Sequence, residues 1–116
     1  MIRTLDWING YKLKQATITG LVYVCDWVLL GKDYDAVVFV VSNTGGVNPV
    51  TVTVEASETG SDVEVGPMAP EPFSLSPGTS GRVTYGNENM RSYWRMALNS
   101  TSTTVSWGIK GVRRMG

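Results

Sequence analysis

Histidine is absent from this 116-residue chain, and cysteine occurs once, at Cys25. The first absence excludes Ser-His-Asp and Cys-His catalytic arrangements, histidine general bases and the commonest zinc sites. The second excludes an intramolecular disulfide, and with it a small secreted scaffold that is held together by several disulfides. We therefore expect a protein that is not an enzyme and that uses no metal ion and no cofactor.

Long apolar runs are also lacking. No stretch reaches the roughly 18 apolar residues that a membrane-spanning helix needs, and residues 1–6 lack the apolar core of a signal peptide. The segment 78–81, Gly-Thr-Ser-Gly, lacks the lysine and the following helix that a phosphate-binding loop requires. These features predict a protein that is made in a cytoplasm and does not contact a membrane.

Charge is balanced overall but unevenly distributed. Residues 21–81 hold eight acids against one lysine, whereas both ends of the chain are basic and the net charge is zero. Either the strands from the ends and the middle interleave in space, or the protein has complementary faces for protein contacts. Nucleic acid is not expected as a partner, because the basic residues near the C-terminus are few and scattered.

Short alternating segments separated by turn residues predict an all-β fold. Residues 50–57 alternate apolar and polar side chains, and residues 93–98 and 105–110 do the same. Residues 36–41 are apolar at every position, which indicates a central strand with both faces covered. The pattern predicts a single β-sandwich, of jelly-roll or Ig-like type, with about seven to eight antiparallel strands.

The sandwich is expected to occupy residues 12–111, with an N-terminal arm at residues 1–11 and a C-terminal tail at residues 112–116. Trp7 in the arm must bury its ring either on its own core or on a neighbouring molecule.

Aromatic residues are numerous enough to suggest sugar binding. Trp94 and Trp107 alternate in phase with apolar neighbours, which places them in the core. Trp27, Tyr34 and Tyr85 lie near turns and are the rings expected at the surface.

Acidic pairs are the other candidates for chemistry. The pairs Asp33 with Asp35 and Asp62 with Glu64 each occupy alternate positions, but they lie beside turns, where solvated acids are common.

Several segments resemble small β-sandwich virion proteins of tailed bacteriophages. The resemblance covers residues 36–111 and is carried by segments that read SNTG, VTVEAS, LSPGTS and TTVSWGIKG. It implies a capsid decoration or minor capsid protein that has no catalytic residues. Such a protein would be made in the host cytoplasm, reside in the virion and bind other virion proteins, the major capsid protein first among them.

We expect a homo-oligomer, with a trimer as the first expectation because decoration proteins of this kind often occupy three-fold positions. The contact residues expected are Leu5, Trp7 and Ile8, which would bury apolar area on a partner, with Arg113 and Arg114 adding electrostatic attraction. The alternative function is a carbohydrate-binding or adhesin-like module. Sugar binding would need rings displayed on one open face, whereas assembly would need an apolar patch and an extended arm.

Overall fold

A computed structural model of the chain describes residues 5–8, 13–30, 33–58, 72–86 and 92–113. Within these ranges the chain forms strands joined by turns and loops, and no helix is long and apolar enough to span a membrane. The strands are β1 (Leu5–Trp7), β2 (Lys14–Ile18), β3 (Tyr23–Val24), β4 (Val28–Leu29), β5 (Tyr34–Asn43), β6 (Val50–Ser57), β7 (Phe73–Leu75), β8 (Ser80–Gly86), β9 (Tyr93–Asn99) and β10 (Thr103–Arg113).

Two antiparallel five-stranded sheets contain these strands. In sheet I, β5 lies between β10 and β8, and the short strands β1 and β2 share the other edge of β10. In sheet II, β6 lies between β9 and β7, and the short strands β3 and β4 share the other edge of β9. The predicted all-β class and antiparallel sandwich are confirmed, and the described residues form ten strands rather than about seven to eight.

One reason for the higher count lies in the segment 21–30, where an extra residue interrupts the pairing with β9 and separates β3 from β4. The chain takes four steps from Val24 to Val28 while β9 takes three from Ala97 to Trp94, so the pairing is interrupted as in a β-bulge. Cys25 lies in this interruption and is buried, and burial raises the pKa of its thiol. The break leaves β3 and β4 too short to form a continuous edge strand.

The core between the sheets follows the predicted alternation. Trp94, Met96 and Leu98 of β9 and Trp107 and Ile109 of β10 are all buried. Each large side chain removed from water in this way stabilises the fold by roughly 1.5–3 kcal/mol. The inner faces of both sheets are therefore fixed by period-two patterns that are visible in the sequence.

Turn chemistry also follows the sequence. The segment Ser76 to Thr79 closes with a hydrogen bond from the Thr79 amide to the Ser76 carbonyl. Gly78 has a φ of 78°, a conformation that glycine adopts without steric cost. A type II turn, typical of a Pro-Gly pair, is therefore present at Pro77 and Gly78 and leads the chain into β8.

Both ends of the described chain lie in sheet I. Strand β1 pairs with β10 in the register Leu5 with Val112, Asp6 with Gly111 and Trp7 with Lys110. The sheet thus includes residues that the sequence assigns to an arm and a tail, because backbone pairing extends through them. Strands from the basic ends also flank the acidic middle, since β5 is held between β10 and β8.

Candidate binding face

The outer face of sheet I, which points away from the core, is organised in rows by the strand register. One row crosses Trp7 of β1, Lys110 of β10 and Val38 of β5. The next row crosses Gly108 of β10, Val40 of β5 and Arg82 of β8. A third row is polar and crosses four strands at Gln15, Ser106, Ser42 and Ser80. Aromatic, apolar, cationic and hydroxyl groups therefore share one face.

Trp7 is placed on this face by a glycine. A Cβ atom at Gly108 would lie 2.3 Å from the Trp7 ring, so the indole occupies space that only glycine leaves open. The ammonium of Lys110 lies 4.3 Å from the ring centroid, within cation–π range. The ring is half-buried on its own sheet, between the first row and the second.

An open groove of about 500 Å³ runs beside the Trp7 ring. Its described lining combines apolar and polar side chains and consists of Trp7, Leu13, Val40, Val41, Ser42, Ser80, Gly81, Arg82, Ser106 and Lys110. The hydroxyls of Ser42 and Ser80 lie 2.6 Å apart and form a hydrogen-bonded pair at the surface. Among these described lining residues none is acidic.

Val38 and Val40 give the face an apolar floor. Val38 is only 3% exposed although it points away from the core, while Val40 is half-buried and lines the groove. The predicted central strand with apolar residues on both faces is therefore confirmed for β5.

A polar cluster fastens β1 beside the groove. Asp6 accepts hydrogen bonds from the Tyr34 hydroxyl and from Arg113, and the Tyr34 ring packs over Gly111. The Arg113 guanidinium, with help from Tyr34, holds the pKa of the Asp6 carboxyl below its usual range. The same cluster raises the pKa of Arg113, while desolvation is the main cause that raises the pKa of Tyr34. The cluster joins three strands and keeps Trp7 in register.

The residues expected to contact a partner have different surroundings. Leu5 is exposed, Trp7 lies on sheet I, and Ile8 is partly buried against the core. Arg113 is exposed and bonded to Asp6, and Arg114 lies outside the described residues. Their role in contacts with other proteins stays a prediction.

Of the three rings expected at the surface, Tyr85 is buried instead, so the prediction for this residue is wrong. It is 5% exposed and stacks 5.0 Å from Trp94 in the core, because β8 turns it toward sheet II. Trp27 and Tyr34 are half-buried, and Trp27 lies under Arg95 on the outer face of sheet II. Among the described residues, Trp7 is the ring that lines the groove.

Sequence reasoning missed Val40, Arg82 and Lys110 as parts of one face, since strand order and register are needed to bring them together. A usable signal was present, however. Gly108 interrupts an otherwise alternating strand, and an isolated glycine in a strand often marks a close approach by another group.

Metal chemistry finds no support in the part of the chain that the structure describes, where no group of three or more Cys, Asp or Glu side chains is placed to hold an ion. Asp33 lies at an exposed turn, and the pair Asp62 and Glu64 lies outside the described residues. The groups in the groove are suited to stacking, hydrogen bonding and ion pairing.

A second surface feature is the β3–β4 edge, the exposed apolar side chains of the segment that borders β9. Leu21 is 80% exposed and Leu29 is 58% exposed, and Val22 and Val24 are exposed between them. This edge belongs to sheet II, whereas the groove belongs to sheet I.

No protein-family model and no curated protein matches this chain. Among solved structures, the chain is similar to a protein of the Bacillus endospore appendages, described as a family of disulfide-linked pili. The TM-score is 0.52 at 13% identity, over 98% of this chain and 93% of that one. It is also similar to a CBM4 carbohydrate-binding module, with a TM-score of 0.53 at 10% identity over 96% of this chain and 86% of that one. At such low identities these likenesses show the fold alone, and what they establish is that the chain is a β-sandwich of the kind found in pilins and in carbohydrate-binding modules.

Proposed function

We propose that the protein is a non-enzymatic carbohydrate-binding or adhesin-like module that holds a saccharide in the groove on sheet I. The observation that carries the proposal is the Trp7 ring, which Gly108 seats at the side of an open groove with hydroxyl groups along one wall. Concave sites with an apolar lining and a few convergent polar groups are the usual form of small-molecule sites.

Binding would combine two kinds of contact. The apolar face of a sugar ring would pack against the indole of Trp7 and the side chain of Val40, which removes apolar area from water. Sugar hydroxyls would exchange hydrogen bonds with Ser42, Ser80 and Ser106, whose hydroxyls both donate and accept. Shared hydrogen bonding of this kind fixes the orientation of a ligand more than it raises affinity.

The likeness to a carbohydrate-binding module supports this proposal by analogy only, because one fold can carry unrelated functions. The stronger support is the groove itself.

The test is binding to a panel of soluble polysaccharides and oligosaccharides, measured by affinity electrophoresis and titration calorimetry. Trp7→Ala should weaken binding by about tenfold, equivalent to about 1.4 kcal/mol, because the stacking surface is lost. Trp27→Ala is the matched control, since Trp27 also lies against a cation, Arg95 at 4.1 Å, but on the other sheet. Equal loss in both variants, or no binding to any glycan by folded protein, would contradict the proposal.

A structural subunit of a virus particle is the second candidate, and the β3–β4 edge is the observation that favours it. Exposed apolar side chains at several positions along one sheet edge are typical of a surface that another protein covers. In this function the protein would bind other virion proteins, the major capsid protein first, as a homo-oligomer. The test is co-sedimentation with purified particles, comparing the chain with a Val24→Lys, Leu29→Lys double variant. If the double variant still binds the particles, this edge is not the surface through which the protein attaches.

A further inference from the structure

We infer that the groove selects acidic saccharides, and that the feature it recognises is the carboxylate of uronate units. This inference rests on the proposed function and adds the chemical class of the ligand. It is based on two cations, Lys110 and Arg82, that line the groove on either side of its apolar floor.

The two cations are spaced along the groove by the register of sheet I. Arg82 lies directly across from Val40, and Lys110 lies two strands away from Arg82 and one row further along. Neighbouring strands are about 4.8 Å apart and alternate residues about 7 Å apart, which places the two Cα atoms roughly 12 Å from each other. A linear saccharide that crosses Val40 would therefore meet a cation toward each end.

No described residue neutralises either cation. Among the described residues, Arg82 and Lys110 form no salt bridge, and no described residue of the groove lining is acidic. The other arginines that the structure describes are both paired, Arg95 with Glu55 and Arg113 with Asp6. Within the described part of the chain, carboxylate partners are thus supplied elsewhere on the surface and not in the groove.

The chemistry of each cation fits a carboxylate. The planar guanidinium of Arg82 can donate two parallel hydrogen bonds to a carboxylate, which gives direction as well as attraction. The ammonium of Lys110 already lies over the Trp7 ring, so a uronate stacked on that ring would bring its carboxylate close to the ammonium. The ammonium would then exchange a ring contact for an ion pair.

The test compares polyuronates with uncharged forms of the same polymers. Polygalacturonate, alginate and hyaluronan are titrated beside their methyl-esterified or carboxyl-reduced forms, at low salt and at about 0.5 M NaCl, where charge attraction is largely screened. At least one polyuronate should bind about tenfold tighter than its uncharged form at low salt, and the difference should shrink at high salt.

Variants then assign the effect to residues. Arg82→Gln and Lys110→Gln should each weaken polyuronate binding several-fold and leave binding of the uncharged form unchanged. Arg95→Gln, which removes an arginine from sheet II, is the matched control and should change neither. Thermal midpoints of all variants confirm that they are folded.

Four outcomes would overturn the inference. A neutral glycan that binds through Trp7 as tightly as any polyuronate would overturn it and leave the proposed function standing. A loss of polyuronate binding in Arg95→Gln that equals the loss in Arg82→Gln would also contradict it. Equal binding of polyglutamate or of a single-stranded DNA of similar charge would show a general polyanion surface. No binding to any glycan would overturn both the inference and the proposed function.

Discussion

Asn43 and Tyr85 show opposite arrangements of polar groups inside this sandwich. The Asn43 side chain donates to the Asn48 and Leu75 carbonyls and accepts from the Gly45 amide and the Thr103 hydroxyl, so its amide is fully satisfied. The Tyr85 hydroxyl is buried and has no hydrogen-bond partner among the described residues. The hydrogen bonds of the Asn43 amide hold the loop after β5 in one conformation, whereas the unpaired hydroxyl of Tyr85 lowers the stability of the fold.

We expect Asn43→Ala to lower the free energy of unfolding by about 3 kcal/mol, because several buried donors and acceptors lose their partner at once. Urea denaturation followed by tryptophan fluorescence measures the change. Ser42→Ala is the control, since the hydrogen bond it removes is exposed, and it should cost less than about 1 kcal/mol. Similar losses in the two variants would contradict the role given to Asn43.

Tyr85→Phe should keep or raise stability at pH 7, by up to about 1 kcal/mol, because it removes an unsatisfied hydroxyl and retains the ring. Burial raises the pKa of Tyr85 to about 12. An unfolded tyrosine ionises near pH 10, so the stability that depends on neutral Tyr85 is complete below about pH 10 and is lost as the pH rises toward about 12. Denaturation curves at several alkaline pH values should show a shallower fall for Tyr85→Phe than for the parent chain, and parallel curves would contradict this.

At the scale of strands, Gly108 ties β1 to β10 and shapes the groove. Gly108→Ala should push the Trp7 ring away, lower stability by roughly 1–3 kcal/mol and weaken the proposed glycan binding in parallel. Gly46→Ala is the control, because a Cβ atom there would meet nothing within 4 Å. Near-ultraviolet circular dichroism would report the displaced indole. An unchanged spectrum in Gly108→Ala would argue against the contact described between the Trp7 ring and Gly108.

The cluster of Asp6, Tyr34 and Arg113 gives β1 a dependence on pH. The pKa of Asp6 is lowered in the folded protein, so its contribution is present above the ordinary carboxyl pKa and is lost as the pH falls below it. Asp6→Asn should therefore lower the thermal midpoint at pH 7 and bring it close to that of the parent chain at strongly acid pH. A decrease in thermal midpoint that is the same at both pH values would contradict the contribution assigned to the Asp6 carboxylate.

Sequence patterns predicted the inner faces of the long strands well and the edges poorly. Met96 and Ile109 could be placed because alternation alone decides which side chains face the core. The segment 21–30 could not, since its apolar residues do not reveal the bulge opposite β9 or the exposure of Leu21 and Leu29. The groove also escaped prediction, because Trp7 and Arg82 come together only through strand order.

For the molecule as a whole, the two faces of the sandwich lead to separable expectations. If the β3–β4 edge mediates self-association, the parent chain should form oligomers, trimers first, and the Val24→Lys, Leu29→Lys variant should be monomeric in light scattering. The same variant should keep the glycan binding that we propose, because the groove lies on sheet I. A monomeric parent chain at all concentrations would remove this edge as a self-association surface.

The pairing of β1 with β10 determines how this sandwich would respond to mechanical load. Leu5 pairs with Val112, and the two strands are antiparallel, so residues 5 and 113 lie at the same end of the pair. A force applied through these two residues would therefore open the pair like a zipper, one hydrogen bond at a time, rather than shear all the bonds together. The ring of Trp7 lies at the last pair of this register, so an adhesive contact made through it would be released only after the pairs at Leu5 and Asp6 have opened.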